Sequence, residues 1–188
     1  MADEYAGLRL RVAAFAFDYL IVLGYIVVLT AIAVGVVMVS GPRQPAAAPF
    51  ANPVFSDLIT FVTLVLPVIL YFTLQEGSPR QATWGKRKTG LRVVTATGAS
   101  LSKGQAFVRS LVKFLPWQLA HTSIYHIPGW PPAMTQPTPW VTAGLVLVWV
   151  LVGANLAALL LTKTHRTLYD WLAGAFVVVA AHERVASR

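Results

Sequence analysis

The chain has no cysteine, and it is poor in acids: seven Asp and Glu stand against fifteen Lys and Arg in 188 residues. Without cysteine there is no disulfide, no thiolate metal site and no cysteine nucleophile. Charge of either sign is scarce. Charged residues make up 12% of the chain, about half the usual share of ~25%. No Ser–His–acid set, paired carboxylate or HExxH helix is visible, so neither an enzyme nor a cofactor is expected. His121 and His126 are five residues apart and lack the further ligands that zinc needs, so no metal site is expected either.

What is present is apolar. Hydrophobic residues make up 56% of the chain, more than a soluble domain of this size can bury. The first apolar run, Val12 to Val39, is longer than the roughly 20 residues needed to span a bilayer and far longer than the core of a signal peptide. Ala46-Ala47-Ala48 imitates a cleavage site, but the run reads as a retained anchor. A second run, Leu58 to Leu74, has Asp57 placed as an N-cap and Pro67 placed to kink it. Trp117 to Ile127 is moderately apolar and follows Pro116, which should break or bend its helix. The last run, Trp140 to Thr162, is uncharged. Proline-rich loops at about 40–56 (Pro42, Pro45, Pro49, Pro53) and 128–139 separate these blocks.

Between the second and third runs the composition turns basic. Arg80, Lys86, Arg87, Lys88, Arg92, Lys103, Arg109 and Lys113 follow one another with no acid among them. Here Leu91 to Thr95 predicts a strand, Thr97-Gly98 a turn, and Ser102 with Gln105 a capping box that opens a helix. Ala175 to Ala181 predicts a second short strand, able to pair with the first. Arg9 and Arg11 precede the first run, and Lys163 and Arg166 follow the last. The positive-inside rule therefore places both ends and the basic segment (about 76–106) in the cytoplasm. For the last span to end inside, Phe107 to Ile127 must cross. The expectation is a mainly α, polytopic membrane domain over 1–188, with about four crossings and a small cytoplasmic strand element, in the plasma or inner membrane. The alternative is three crossings plus an in-plane helix.

Three stretches together resemble one family: RVAAFAFDYLIV (Arg11 to Val22), WGKRKTGLRVV (Trp84 to Val94) and HRTLYDWLAGAFVV (His165 to Val178). They are similar to the RDD family of small membrane proteins, named for one arginine and two aspartates. By spacing, these are Arg11, Asp18 and Asp170. The resemblance covers nearly the whole chain. It implies transport of an unidentified ligand, cation/proton exchange as in some members, or an accessory role in a larger membrane complex. Tyr169 departs from the pattern where His is frequent, and Ala175 where Thr is common.

Asp18 is the only charge in its run, and a charge there costs roughly 2.5–3.5 kcal/mol on insertion scales. Arg11 lies nearly two turns earlier on the same helix face. Asp18 is thus either an ion- or proton-binding carboxylate or an ion pair that fixes helix packing, with Arg11 or Arg109 as partner. Asp170 reads as an N-cap or a salt-bridge partner of Arg92 or Arg166, or as a functional group in the basic layer. Lys86, Arg87, Lys88 and Arg92 suit anionic lipid headgroups or simply hold the loop inside. WGKRKTG lacks the spacing of a P-loop, and nucleic acid is not an expected partner. Asn155, among Gly153, Ala154 and Ala157, suits close helix contact. Two functions follow. One is a small transporter, as a single chain or a homo-oligomer, that uses Arg11 and Asp18; the other is a non-catalytic subunit of a membrane complex.

Overall fold

The computed structural model describes residues 5–40, 52–130 and 135–180. Most of the first proline-rich loop, with Pro42, Arg43, Pro45 and Pro49, lies outside the described residues, as do residues 131–134 of the second and the end of the second predicted strand at Ala181. Helix α1, Leu8–Ser40, has 33 residues, or about 50 Å at 1.5 Å per residue. Pro53–Thr60 forms α2, capped by Asn52, whose side chain accepts from the amides of Val54 (3.0 Å) and Phe55 (3.2 Å). Asp57 is therefore not the cap. Proline at the first helical position and asparagine before it start the helix earlier. Asp57 instead accepts from Gln118 (2.7 Å) and Thr122 (2.8 Å) of a later helix.

A π-helical turn, Phe61–Val65, joins α2 to α3, Leu66–Glu76. It directly precedes Pro67, which cannot donate to the carbonyls behind it. The Thr63 carbonyl accepts from the Tyr25 hydroxyl of α1 at 2.5 Å. Next come α4 (Trp84–Lys88), β1 (Leu91–Val94) and α5 (Lys103–Tyr125). The Ser102/Gln105 capping box is present, and Pro116 lies inside α5 without ending it. Helices α6 (Pro139–Leu161) and α7 (Leu168–Leu172) and strand β2 (Phe176–Val179) complete the order.

The two strands pair antiparallel, from Leu91 opposite Val179 to Val94 opposite Phe176. The Ala6 amide donates to the Val177 carbonyl at 2.9 Å, so the segment before α1 lies along the sheet. Two apolar cores result. One gathers Ala6, Ala14, Leu91, Val93, Ala106 and Val177 at the sheet; the other gathers Val65, Val68, Ile69, Phe72 and Phe114 among the helices, with Val22 against it. On α1, Asp18 falls between Ala14 of the first core and Val22 of the second. On α5, Arg109, Ser110 and Lys113 fall between Ala106 and Phe114. A polar layer thus separates the cores.

Three helical stretches are long and apolar enough to cross a membrane: Leu8–Val39, Pro53–Glu76 and Pro139–Leu161. Helix α5 packs along α3 and α6 but carries Arg109 and Lys113, and it is not one of the three.

Candidate functional site

Asp18 is fully buried. Its carboxylate accepts from the Tyr71 hydroxyl (2.9 Å), the Thr83 hydroxyl (2.5 Å) and the Gly85 amide (2.7 Å). Thr83 is the N-cap of α4, so its Oγ1 also accepts from the Lys86 amide at 3.3 Å. Of the first amides of the short helix, that of Gly85 goes to the carboxylate and that of Trp84 to the Tyr71 hydroxyl at 3.4 Å. Glycine is required at 85. A Cβ there would stand 2.8 Å from Asp18 Cγ and drive into the Ala14 carbonyl. Asp18 thus fastens α1 to α3 and α4.

Arg11 does not pair with Asp18. Its face is shared as the spacing predicts, but its guanidinium reaches across to α7. Nη1 donates to Asp170 Oδ2 at 2.7 Å, and Nε donates to the Ala6 carbonyl at 3.0 Å. On the other oxygen, Asp170 accepts from Arg109 Nη2 (2.7 Å) and Nε (2.9 Å). Arg109 also pairs with Glu76, and Glu76 accepts from Lys86 Nζ at 2.8 Å. The result is a continuous run of alternating charge, Lys86–Glu76–Arg109–Asp170–Arg11, that joins α1, α3, α4, α5 and α7. Glu76 and Asp170 are fully buried, and Arg109 is 2% exposed.

Asp170 occupies the third position of α7, in a capping box with Thr167. Its expected partners, Arg92 and Arg166, do not reach its carboxylate. Arg92 is exposed on β1, and Arg166 donates to the backbone carbonyls of Asp170 (3.1 Å) and Ala175 (3.0 Å). Burial alone would raise the Asp170 pKa. The Arg109 and Arg11 guanidiniums outweigh it and hold the carboxyl at about 2.

Of the four basic residues assigned to headgroups, Arg87, Lys88 and Arg92 are exposed, whereas Lys86 is 7% exposed and points inward to Glu76. Glu76 is the site residue that sequence reasoning missed. Its signal was scarcity: it is one of only seven acids and closes an apolar run. Asn155 links α6 to α7, its Oδ1 accepting from the Leu168 amide at 3.1 Å. His121 and His126 each place Nδ1 against a carbonyl one turn back, both at 2.8 Å.

Beside the ion-pair run lies a cavity of about 290 Å³ among α1, α5 and α6. Arg11, Lys86, Arg109 and Lys113 line it, and among the described residues Asp18 is the one acid on its wall. Its rim holds Val12, Trp117 and Val152, all strongly exposed.

Long, outward-facing apolar helices around a buried ionic layer define an integral membrane protein of several spans. The RDD family profile matches residues 5–174, and the chain belongs to the RDD family. Its three namesake residues, as placed by spacing, fall on two different fastenings: Arg11 with Asp170, and Asp18 with α4. Neither a search of curated proteins nor one of solved structures gives a match.

Proposed function

We propose that this protein is a transport-related, non-enzymatic protein of the plasma or inner membrane that takes a small ion or ligand at the cavity beside its ionic layer. The observation that carries the reading is the buried run Lys86–Glu76–Arg109–Asp170–Arg11, whose three cations, Lys86, Arg109 and Arg11, line that cavity. Ionisable groups at membrane depth are expensive, and in transporters they mark the path of the ligand. The Arg/Asp pair in this reading is Arg11 with Asp170. Asp18, whose carboxylate accepts three hydrogen bonds, holds the helices that frame the pair.

Four crossings with both ends and the basic segment inside fit this reading. Helix α5 spans about 34 Å at 1.5 Å per residue, and it lies along two of the long apolar helices. The positive residues at the start of α1, after α3 and after α6 favour the same orientation. Since the chain has no cysteine, single cysteines report sides cleanly. Thr97→Cys should label only from the cytoplasm and His126→Cys only from outside. Labelling of both from the cytoplasm would leave three crossings and an in-plane α5.

A second reading, an accessory subunit, is favoured by the outer part of α1. Val27, Val28, Ile32 and Val36 are each more than half exposed, and among the described residues no other helix screens them. Lipid or another membrane chain would cover them. Native mass spectrometry of gently extracted protein, followed by flux in proteoliposomes, separates the two. A homo-oligomer that carries a flux slowed by Lys113→Gln supports transport. A stoichiometric foreign partner and a purified chain that moves nothing would replace transport with the accessory role.

A further inference from the structure

Lys113 has no use in the ionic layer. Among the described residues, no carboxylate or hydrogen-bond acceptor meets its ammonium, which lies 3.5 Å from the centre of the Phe72 ring and near Phe15 and Phe114. Arg11 is similarly incomplete: its side chain is 10% exposed, yet Nη2 is buried with no hydrogen-bond partner. Both residues line the 290 Å³ cavity. Buried donors without acceptors are costly, and a cation over aromatic faces is only partly compensated. The wall therefore offers positive charge and N–H donors in excess of what the chain itself satisfies.

A second cavity, about 160 Å³, continues from the first and shares Phe15, Phe114 and Trp117 with it. It runs beside Val22, Ile26, Val65 and Val68 and is almost wholly apolar. From Phe15 to Ile26 it follows α1 for about 16 Å. A cationic chamber opening into an apolar channel, with exposed Val12, Trp117 and Val152 at the rim, has the polarity of an amphiphile seen in relief.

We propose that the first cavity binds the phosphate oxyanion of an anionic phospholipid, with an acyl chain lying in the second. Lys113 meets the oxyanion as a point charge, and the Arg11 guanidinium, whose Nη2 has no partner within the chain, adds positive charge to the same wall. The lipid enters laterally past Trp117. This names the ligand class of the cavity on which the transport reading rests. Binding is measured without flux, so the two can fail separately.

The test uses the full chain in phosphatidylcholine nanodiscs, with or without phosphatidylglycerol carrying brominated acyl chains. Bromine quenches nearby indoles, and the contribution of Trp117 is the difference between wild type and Trp117→Phe. Quenching at Trp117 should exceed that given by brominated phosphatidylcholine at equal mole fraction. Lys113→Gln should weaken the preference about tenfold, the loss of one charge-assisted contact, and Lys113→Arg should restore it. Equal quenching by the two lipids in wild type overturns the proposal, whatever the variants do. So does an undiminished preference in a folded Lys113→Gln. If inorganic phosphate shifts Trp117 emission while brominated phosphatidylglycerol shows no preference, the site takes a free anion and the amphiphile is overturned.

Discussion

The two ends of α1 face opposite problems. Near the sheet, the charged side chains of α1 that turn inward each meet specific partners: Arg11 finds Asp170, and Asp18 finds Tyr71, Thr83 and Gly85. Toward Ser40 the same helix presents valines, isoleucines and alanines outward, with Tyr25 to the Thr63 carbonyl as a side-chain tie to α2–α3. The first region is held by geometry and tolerates little change. The second is held by its apolar surroundings, where any residue of similar volume serves. One helix can do both because insertion in the membrane requires only average apolarity, whereas joining the other elements requires particular atoms at particular distances.

Substitution should expose the difference most sharply at the hub. Arg109→Ala leaves Glu76 and Asp170 both buried, one without its shared guanidinium and the other with Arg11 alone. A loss of about 3–5 kcal/mol follows from breaking a buried ionic network on one side, read as a collapse of the melting temperature in detergent. A melting temperature within a few degrees of wild type would mean that the layer is not what holds the inner end together. Next is Gly85→Ala, which forces backbone apart at the Asp18 fastening. Overpacking costs about 1–3 kcal/mol, and the upper end is expected because the obstruction includes a main-chain carbonyl. Thermal unfolding again reads it, and Gly85→Ser should be no better.

Acid should act on the same region. The Asp170 carboxyl titrates at about 2 in the folded chain against an ordinary value of 3.8. The unfolded chain therefore binds the proton first as pH falls. Its contribution, on the order of 2 kcal/mol, is fully present above pH 3.8 and is lost on the way down to about 2. A melting temperature that does not fall across that window would refute the ionic account of Asp170. Val28→Leu, on the outward face of α1, supplies the contrast. It should change stability by less than about 0.5 kcal/mol, and a larger change would point to a protein neighbour at that face rather than lipid.

Local chemistry was legible in advance. The Ser102/Gln105 box, the turn at Gly98 and the strand at Leu91 each depend on residues within a few positions of one another, and all appear. The pairing of that strand with Phe176–Val179 was also readable, because few other segments are β-branched and short. The partners of the charges were not. Lys86 sits in a run of basic residues that looks like a solvated face, and only the fold turns it toward Glu76. The seven-residue spacing of Arg11 and Asp18 was a true statement about one helix, but it could not reveal that a nearer acid would arrive from α7. Asp57 was misread because Asn52-Pro53, a stronger start signal, lay inside what looked like loop.

The distance along the chain between Arg11 and its acid has a consequence for biogenesis. The two residues are 159 positions apart, and Asp18 and Thr83 are 65 apart. At synthesis rates of about 5–20 residues per second, α1 waits roughly 8–30 s after Arg11 is made before Asp170 exists to neutralise it. Until then the first helix carries an uncompensated guanidinium, whereas Glu76 meets Lys86 only 10 residues on and Arg109 33 residues on. A ribosome that stops before residue 170 leaves a nascent chain in which Arg11 and Arg109 lack the carboxylate they share in the finished protein.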